Sequence, residues 1–248
     1  MASASHHGRD GAALAAGLEA AIADLTQQRA EQARHRLVRL AADFPAQPDV
    51  RQLLAAALLV LGDHQSSLAE ACEGLRLRPR HVPTLLIAAE AALALGQAKA
   101  ACGYFEAALT RDPSPARVWL AFGKALAAAE DERAPAAFAE AGRRDPALSE
   151  VQLLRAEWYV RHGQSGQEIE ALELALAGNP DQSAVWFRLG LRRQDLGRLE
   201  AAVSAYRSAL ERQPDMAEAA VNLGIVLQDL RRFDEAMAAF RQAYRTRS

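Results

Sequence analysis

Lysine is almost missing from this chain: Lys99 and Lys124 are the only two, and arginine supplies the rest of the 29 basic residues. That is the arginine bias of a GC-rich bacterial genome. Against 31 acidic residues the formal charge is −2, so no bulk positive field is present to recruit nucleic acid or an acidic membrane. Cysteine is as scarce. Cys72 and Cys102 cannot make a disulfide framework, and both fall among alanines, where a free thiol packs as a small apolar group. This usage suits a reducing compartment and places the chain in the cytoplasm. Aromatic residues make up only 6%. The longest strictly apolar run, Leu53 to Leu61, is too short to span a bilayer, which excludes membrane insertion by a helix there. No secretory signal is visible at the start, where residues 1–13 read as a flexible leader.

What is abundant is alanine, the best helix former, within a chain that is 50% hydrophobic. A core poor in rings has to be built from closely approaching helices, so composition points to an all-α fold. A ladder of prolines gives this helical material a period. Pro45, Pro79, Pro113, Pro146, Pro180 and Pro214 stand 34, 34, 33, 34 and 34 residues apart. Fixed spacing in this range marks a repeat architecture. Each proline ends a helical stretch and biases its predecessor away from helix. Midway between prolines comes a second break at Gly62, Gly96, Gly163 and Gly197, where glycine tolerates a tight turn. The unit is therefore helix A, turn, helix B, proline.

Two further positions recur. A small residue in helix A reads Ala21, Ala55, Ala89, Gly123, Ala156, Gly190 and Gly224. A mostly large one in helix B reads Leu37, Ala71, Phe105, Phe138, Leu172, Tyr206 and Phe240, followed three residues on by Ala108, Ala141, Ala175, Ala209 or Ala243 in the later units. Small residues belong where the two helices cross, and large ones fill the gap to the next unit. No single unit can bury both surfaces, so stability comes from stacking.

The unit from Ser183 to Met216, with Trp186, Leu189, Gly190, Gly197, Ala202, Tyr206, Ala209 and Pro214 in order, resembles the tetratricopeptide repeat. The resemblance extends over residues 14–248 as seven units: 14–47, 48–81, 82–114, 115–148, 149–182, 183–216 and 217–248. It implies one right-handed α-solenoid of antiparallel helix pairs. The unit from Leu14 is degenerate, with Gly17 and Asp24 at positions usually large and apolar, as a polar N-terminal cap would be. The fourth unit is one residue short around Glu130–Arg133. In the fifth, Arg155 and Glu168 replace an apolar and a small residue on facing helices, and an intra-repeat ion pair is the expectation.

Motifs for chemistry are almost absent. Gly123-Lys124 lacks the glycine and hydroxyl residue of a phosphate loop, and Gly163-Gln164-Ser165-Gly166 misses the nucleophile-elbow spacing. The histidines His35, His64, His81 and His162 are scattered along the repeats with no ligand spacing. Neither an enzyme nor a cofactor or metal site is expected. Neutrality also argues against the related RNA-reading helical repeats, which are basic.

In the tetratricopeptide family the A helices line a concave face. Carried over residue by residue, that face takes Leu86 and Glu90, Leu120 and Lys124, Leu153 and Glu157, Phe187 and Leu191, then Asn222 and Ile225. The stripe is more apolar than a solvated face needs, unless packing between repeats already covers it. Asn222 is the only asparagine at the site where chaperone-tail receptors of this family carry a basic-and-asparagine clamp, so a generic receptor of that kind is not implied. The function that follows is a protein-interaction scaffold holding a peptide or amphipathic helix in the groove. Two alternatives stay open. One is a substrate-recruiting module of a larger glycosyl- or sulfotransferase continuing beyond Ser248. The other is self-assembly through the repeat ends, with Met237, Phe240 and Tyr244 left partly uncovered as a homo-oligomer edge.

Overall fold

The computed structural model describes the backbone of residues 2–113 and 115–246, and side chains from residue 11. Among the described residues the chain is all-α, with fourteen helices in consecutive antiparallel pairs. The A helices are α1 (Ala2–Thr26), α3 (Pro48–Val60), α5 (Val82–Ala94), α7 (Ala116–Ala128), α9 (Glu150–Arg161), α11 (Ser183–Asp195) and α13 (Ala217–Asp229). The B helices are α2 (Ala30–Asp43), α4 (His64–Leu77), α6 (Ala98–Leu109), α8 (Ala134–Arg144), α10 (Ser165–Gly178), α12 (Leu199–Arg212) and α14 (Phe233–Arg245). The leader expected over residues 1–13 to be loose is helical from Ala2 onward. Ala2, Ala4, Ala12 and Ala13 favour helix there, and no proline interrupts it.

The hairpins fall into two compact units, Met1–Ala137 and Phe138–Ser248. The division lies inside α8, in the hairpin that is one residue short, so the single array expected over 14–248 is described as two bodies. In the first, α1 pairs with α2, α3 with α4 and α5 with α6, and α7 packs on α6. In the second, α9 pairs with α10, α11 with α12 and α13 with α14, and the last two hairpins rest on α10 and α12. Within the first unit each A helix also touches the next A helix, as α11 touches α13 in the second.

One turn closes every hairpin. Gly62, Gly96, Gly163 and Gly197 have φ between 67° and 78°. Gln28, Glu130 and Arg231, in register with them, take φ of 58°, 55° and 58°. In all seven, the next residue donates its N–H to the carbonyl five residues back, as in Asp63 to Leu58 at 3.0 Å and Arg232 to Leu227 at 2.8 Å. This is the Schellman closure, which satisfies carbonyls orphaned at a helix end. The missing residue of the fourth hairpin lies after Glu130, where α8 starts two residues later than its counterparts.

The crossing of the two helices is where small residues are needed. A β-carbon on Gly224 would stand 2.5 Å from the Phe240 ring, closer than any real contact. Between hairpins, two tryptophans bond back to the ladder: Trp119 Nε1 donates to the Pro113 carbonyl at 2.7 Å, and Trp186 Nε1 to that of Pro180 at 2.8 Å. Arg212 lies over the Trp186 ring at 5.4 Å. Each unit has its own core clusters: one in the first joins Ala21, Leu37, Val50 and Leu54, and those of the second join Leu172, Leu176 and Leu189, and Tyr206, Leu210, Leu223 and Leu227.

Candidate functional site

In the first unit the A-helix face carries Leu86 and Glu90 on α5 and Lys124 on α7. Leu86 is half-buried, and Glu90 and Lys124 are exposed. Solvent reaches Glu90, yet the protein around it removes enough water to push its carboxyl pKa up. Leu120 does not belong to this face. It is only 7% exposed, because the buried arc of α7 takes in Leu120, Gly123 and Ala127 at helical spacing.

In the second unit Leu153 and Glu157 stand on α9, Phe187 and Leu191 on α11, and Asn222 and Ile225 on α13. Leu153 packs against the core of the fifth and sixth hairpins, while Glu157 is exposed. Phe187, Leu191 and Val221 are partly buried against the next core. The Phe187 ring lies 5.9 Å from that of Tyr206, whose hydroxyl donates to Gln194 Oε1 at 2.7 Å. Burial first, then the negative charge of Asp195, pushes the Tyr206 pKa up, so the phenol remains a donor. Asn222 is half-buried and Ile225 is exposed. Packing between repeats thus covers part of the apolar stripe, and α11 and α13 bring Phe187, Leu191, Asn222 and Ile225 onto neighbouring helices.

The charged residues of the fifth hairpin are arranged differently from the expected pair. Glu168 is 1% exposed, and its partners come from the following hairpin. Arg188 Nε donates to Oε1 at 3.1 Å, and Arg192 Nε makes an ion pair with Oε2 at 2.6 Å. Arg155 instead donates from Nη1 to Gln152 Oε1 at 2.8 Å and lies over Tyr159. Glu168 occupies the small B-helix position held by Ser67 and Ala202, where Ser67 bonds back to Ala55 of its own A helix, but the longer carboxylate is taken by the two arginines of α11. Its role is to fasten two hairpins. Within the first hairpin, buried Asp24 of α1 accepts from Arg29 at 2.7 Å and from Arg36 of α2 at 3.3 Å. The Arg29 hydrogen bond is the main cause holding the Asp24 pKa below the usual carboxylate range, with Arg36 adding to it.

Two clefts of about 420 Å³ open on the B-helix side. One is lined by Arg207, Leu210 and Glu235, the other by Glu106, Leu109 and Arg133, and each is bridged by its own ion pair. Their shared register makes them products of the repeat. Among the described residues no group of three or more His, Cys, Asp or Glu is placed to hold a metal, and no helix is long and apolar enough to cross a membrane.

A tetratricopeptide-repeat family profile matches residues 187–248. The fold matches a tetratricopeptide repeat-containing protein from Cytophaga hutchinsonii, solved as its C-terminal part, with a TM-score of 0.75 at 12% identity, over 91% of this chain and 93% of that one. Residues 187–248 match the tetratricopeptide repeat, and a helix-pair architecture like that of the family extends over most of the chain. A tetratricopeptide repeat protein from Parabacteroides merdae gives a TM-score of 0.60 at 14% identity, covering 94% and 93%. MamA AMB-1 gives 0.54 at 20% identity, covering 66% of this chain and 90% of that one. At such identities the likeness is one of fold. No curated protein matches the sequence. Outside the profile, the earlier hairpins have the same turn geometry.

Proposed function

We propose that this chain is a protein-binding scaffold that holds a peptide or an amphipathic helix on the A-helix face of its second unit. The observation that carries the reading is the pairing of α11 with α13. There Ile225 stays open to solvent beside half-buried Phe187 and Leu191, and Asn222 adds a carboxamide able to donate to and accept from a peptide backbone. Leu86, Glu90 and Lys124 form a separate, more polar face in the first unit. The exposed free thiol of Cys72 supports a reducing, cytoplasmic setting. No observation favours a recruiting module of a glycosyl- or sulfotransferase.

Affinity capture with the wild type and with Ile225→Glu plus Leu191→Glu tests this surface, with circular dichroism to show that the variant is folded. Loss of the captured partner is expected, and unchanged recovery would exclude the face. Ile225→Glu alone, which alters an exposed residue, separates lost binding from lost folding.

A further inference from the structure

The last hairpin leaves open a set of positions that the hairpin before it buries. On α12, Val203, Tyr206 and Leu210 are buried, in one cluster with Ala220, Leu223 and Leu227 of α13. Their counterparts 34 residues on are Met237, Phe240 and Tyr244 of α14. These are 52%, 37% and 77% exposed, and Phe233, a turn earlier, is 59% exposed. At about 100° per residue the four fall within a stripe about 60° wide. One flank of the stripe is Ala236, Ala239 and Ala243, packed into the core with α13. The other flank carries Asp234 near the start of the helix and Arg241 and Arg245 near its end, all exposed. Arg241 lies along the stripe, with Nη2 3.5 Å from Met237 Sδ.

We propose that the partner of this stripe is α14 of a second copy of the chain, packed antiparallel about a two-fold axis. Phe233 and Tyr244 are equidistant from the middle of the stripe, as are Met237 and Phe240. Phe233 of each copy therefore meets Tyr244 of the other, and Met237 meets Phe240. A two-fold of this kind keeps like flanks on the same side, so Asp234 of each copy faces Arg241 and Arg245 of the other. A parallel pair would instead set the charged flank of each copy against the alanine flank of the other, leave Asp234 without a basic partner across the axis and align the helix dipoles. Antiparallel is also the orientation in which α13 covers α12. Head-to-tail docking fits less well: the positions of α1 in register with Ala220, Leu223 and Leu227 are Gly17, Ala20 and Asp24, the last locked by two arginines. The interface is thus self-complementary and closes at two copies.

Sedimentation equilibrium of the full chain over a range of concentrations tests the proposal. A reversible dimer is expected for the wild type, and a monomer for Met237→Glu plus Tyr244→Glu. Asp234→Arg should raise the dissociation constant at least about tenfold. Adding Arg241→Asp and Arg245→Asp to it should restore the dimer to within about threefold of the wild type. Circular dichroism confirms folding, which these exposed positions permit. A wild-type monomer overturns the proposal, as does a dimer that survives Met237→Glu plus Tyr244→Glu. So does a charge-swapped chain that stays weak, or assembly that grows beyond two copies. Ile225→Glu should leave the dimer intact, so failure of this interface and of the peptide-binding face are distinguishable.

Discussion

Tyr206 closes onto Gly190 so tightly that a β-carbon at Gly190 would stand 2.5 Å from Cε1 and 2.6 Å from Cδ1 of the ring. The ring is fully buried and tied by its hydroxyl to Gln194, so it has nowhere to move. Alanine in place of a helical glycine contributes about 0.5–1 kcal/mol. Overpacking a rigid site costs about 1–3 kcal/mol. The clash wins, and Gly190→Ala should lower stability in urea unfolding. Gly224→Ala meets a Phe240 ring that is partly open to solvent, and should cost less.

The turn residues make the opposite prediction. Gln28, Glu130 and Arg231 hold a left-handed backbone that glycine adopts freely, and for other residues the conformation costs about 1–2 kcal/mol. Glycine loses part of this gain through the greater freedom of its unfolded chain. Arg231→Gly should still raise the unfolding midpoint by the equivalent of about 0.5–1 kcal/mol. Gly197→Ala should lower it by a similar amount. A drop with Arg231→Gly would show that its side chain matters more than its backbone.

Glu168 should be the most sensitive charged residue. Glu168→Ala leaves Arg188 and Arg192 half-buried without their carboxylate. Breaking a fully buried pair costs about 3–5 kcal/mol. Both arginines retain some solvent, so about 2–3 kcal/mol is the expected loss. Arg155→Ala should not couple to it. A double-mutant cycle checks this: appreciable coupling between Arg155 and Glu168 would contradict the geometry described here.

Asp24 predicts an acid limb. Its folded pKa is depressed, first by the Arg29 hydrogen bond. Such a group contributes stability above its unfolded pKa of about 3.9, and loses it as pH falls through the lower folded value. Urea midpoints measured below about pH 4 should therefore fall more steeply for the wild type than for Asp24→Asn. Parallel curves would remove Asp24 from the acid response.

The period was legible because proline and glycine report on the backbone directly, and seven hairpins follow from their alternation. Three of the turns hid their conformation behind Gln28, Glu130 and Arg231, and only register with Gly62 and its counterparts discloses them. Leu120 falls outside the face that its repeat position implies, because the buried arc of α7 is wider than its neighbours'. Glu168 was given the wrong partner for a related reason. Facing helices within a hairpin suggest Arg155, but that side chain bonds Gln152, and the Glu168 carboxylate reaches Arg188 and Arg192 of the next hairpin. Residues 20 and 24 positions further on are not an obvious pair in a sequence.

The indole that donates to a proline carbonyl between hairpins also gives each unit its own light source. Trp119 belongs to the first unit and Trp186 to the second, and both lose their hydrogen bond when a junction opens. Trp158, the remaining tryptophan, lies in the second unit, stacked on the His162 imidazole at 3.7 Å. Replacing Trp119 by Phe would leave a chain whose fluorescence follows the second unit, and replacing Trp158 and Trp186 together one whose fluorescence follows the first, with no label attached.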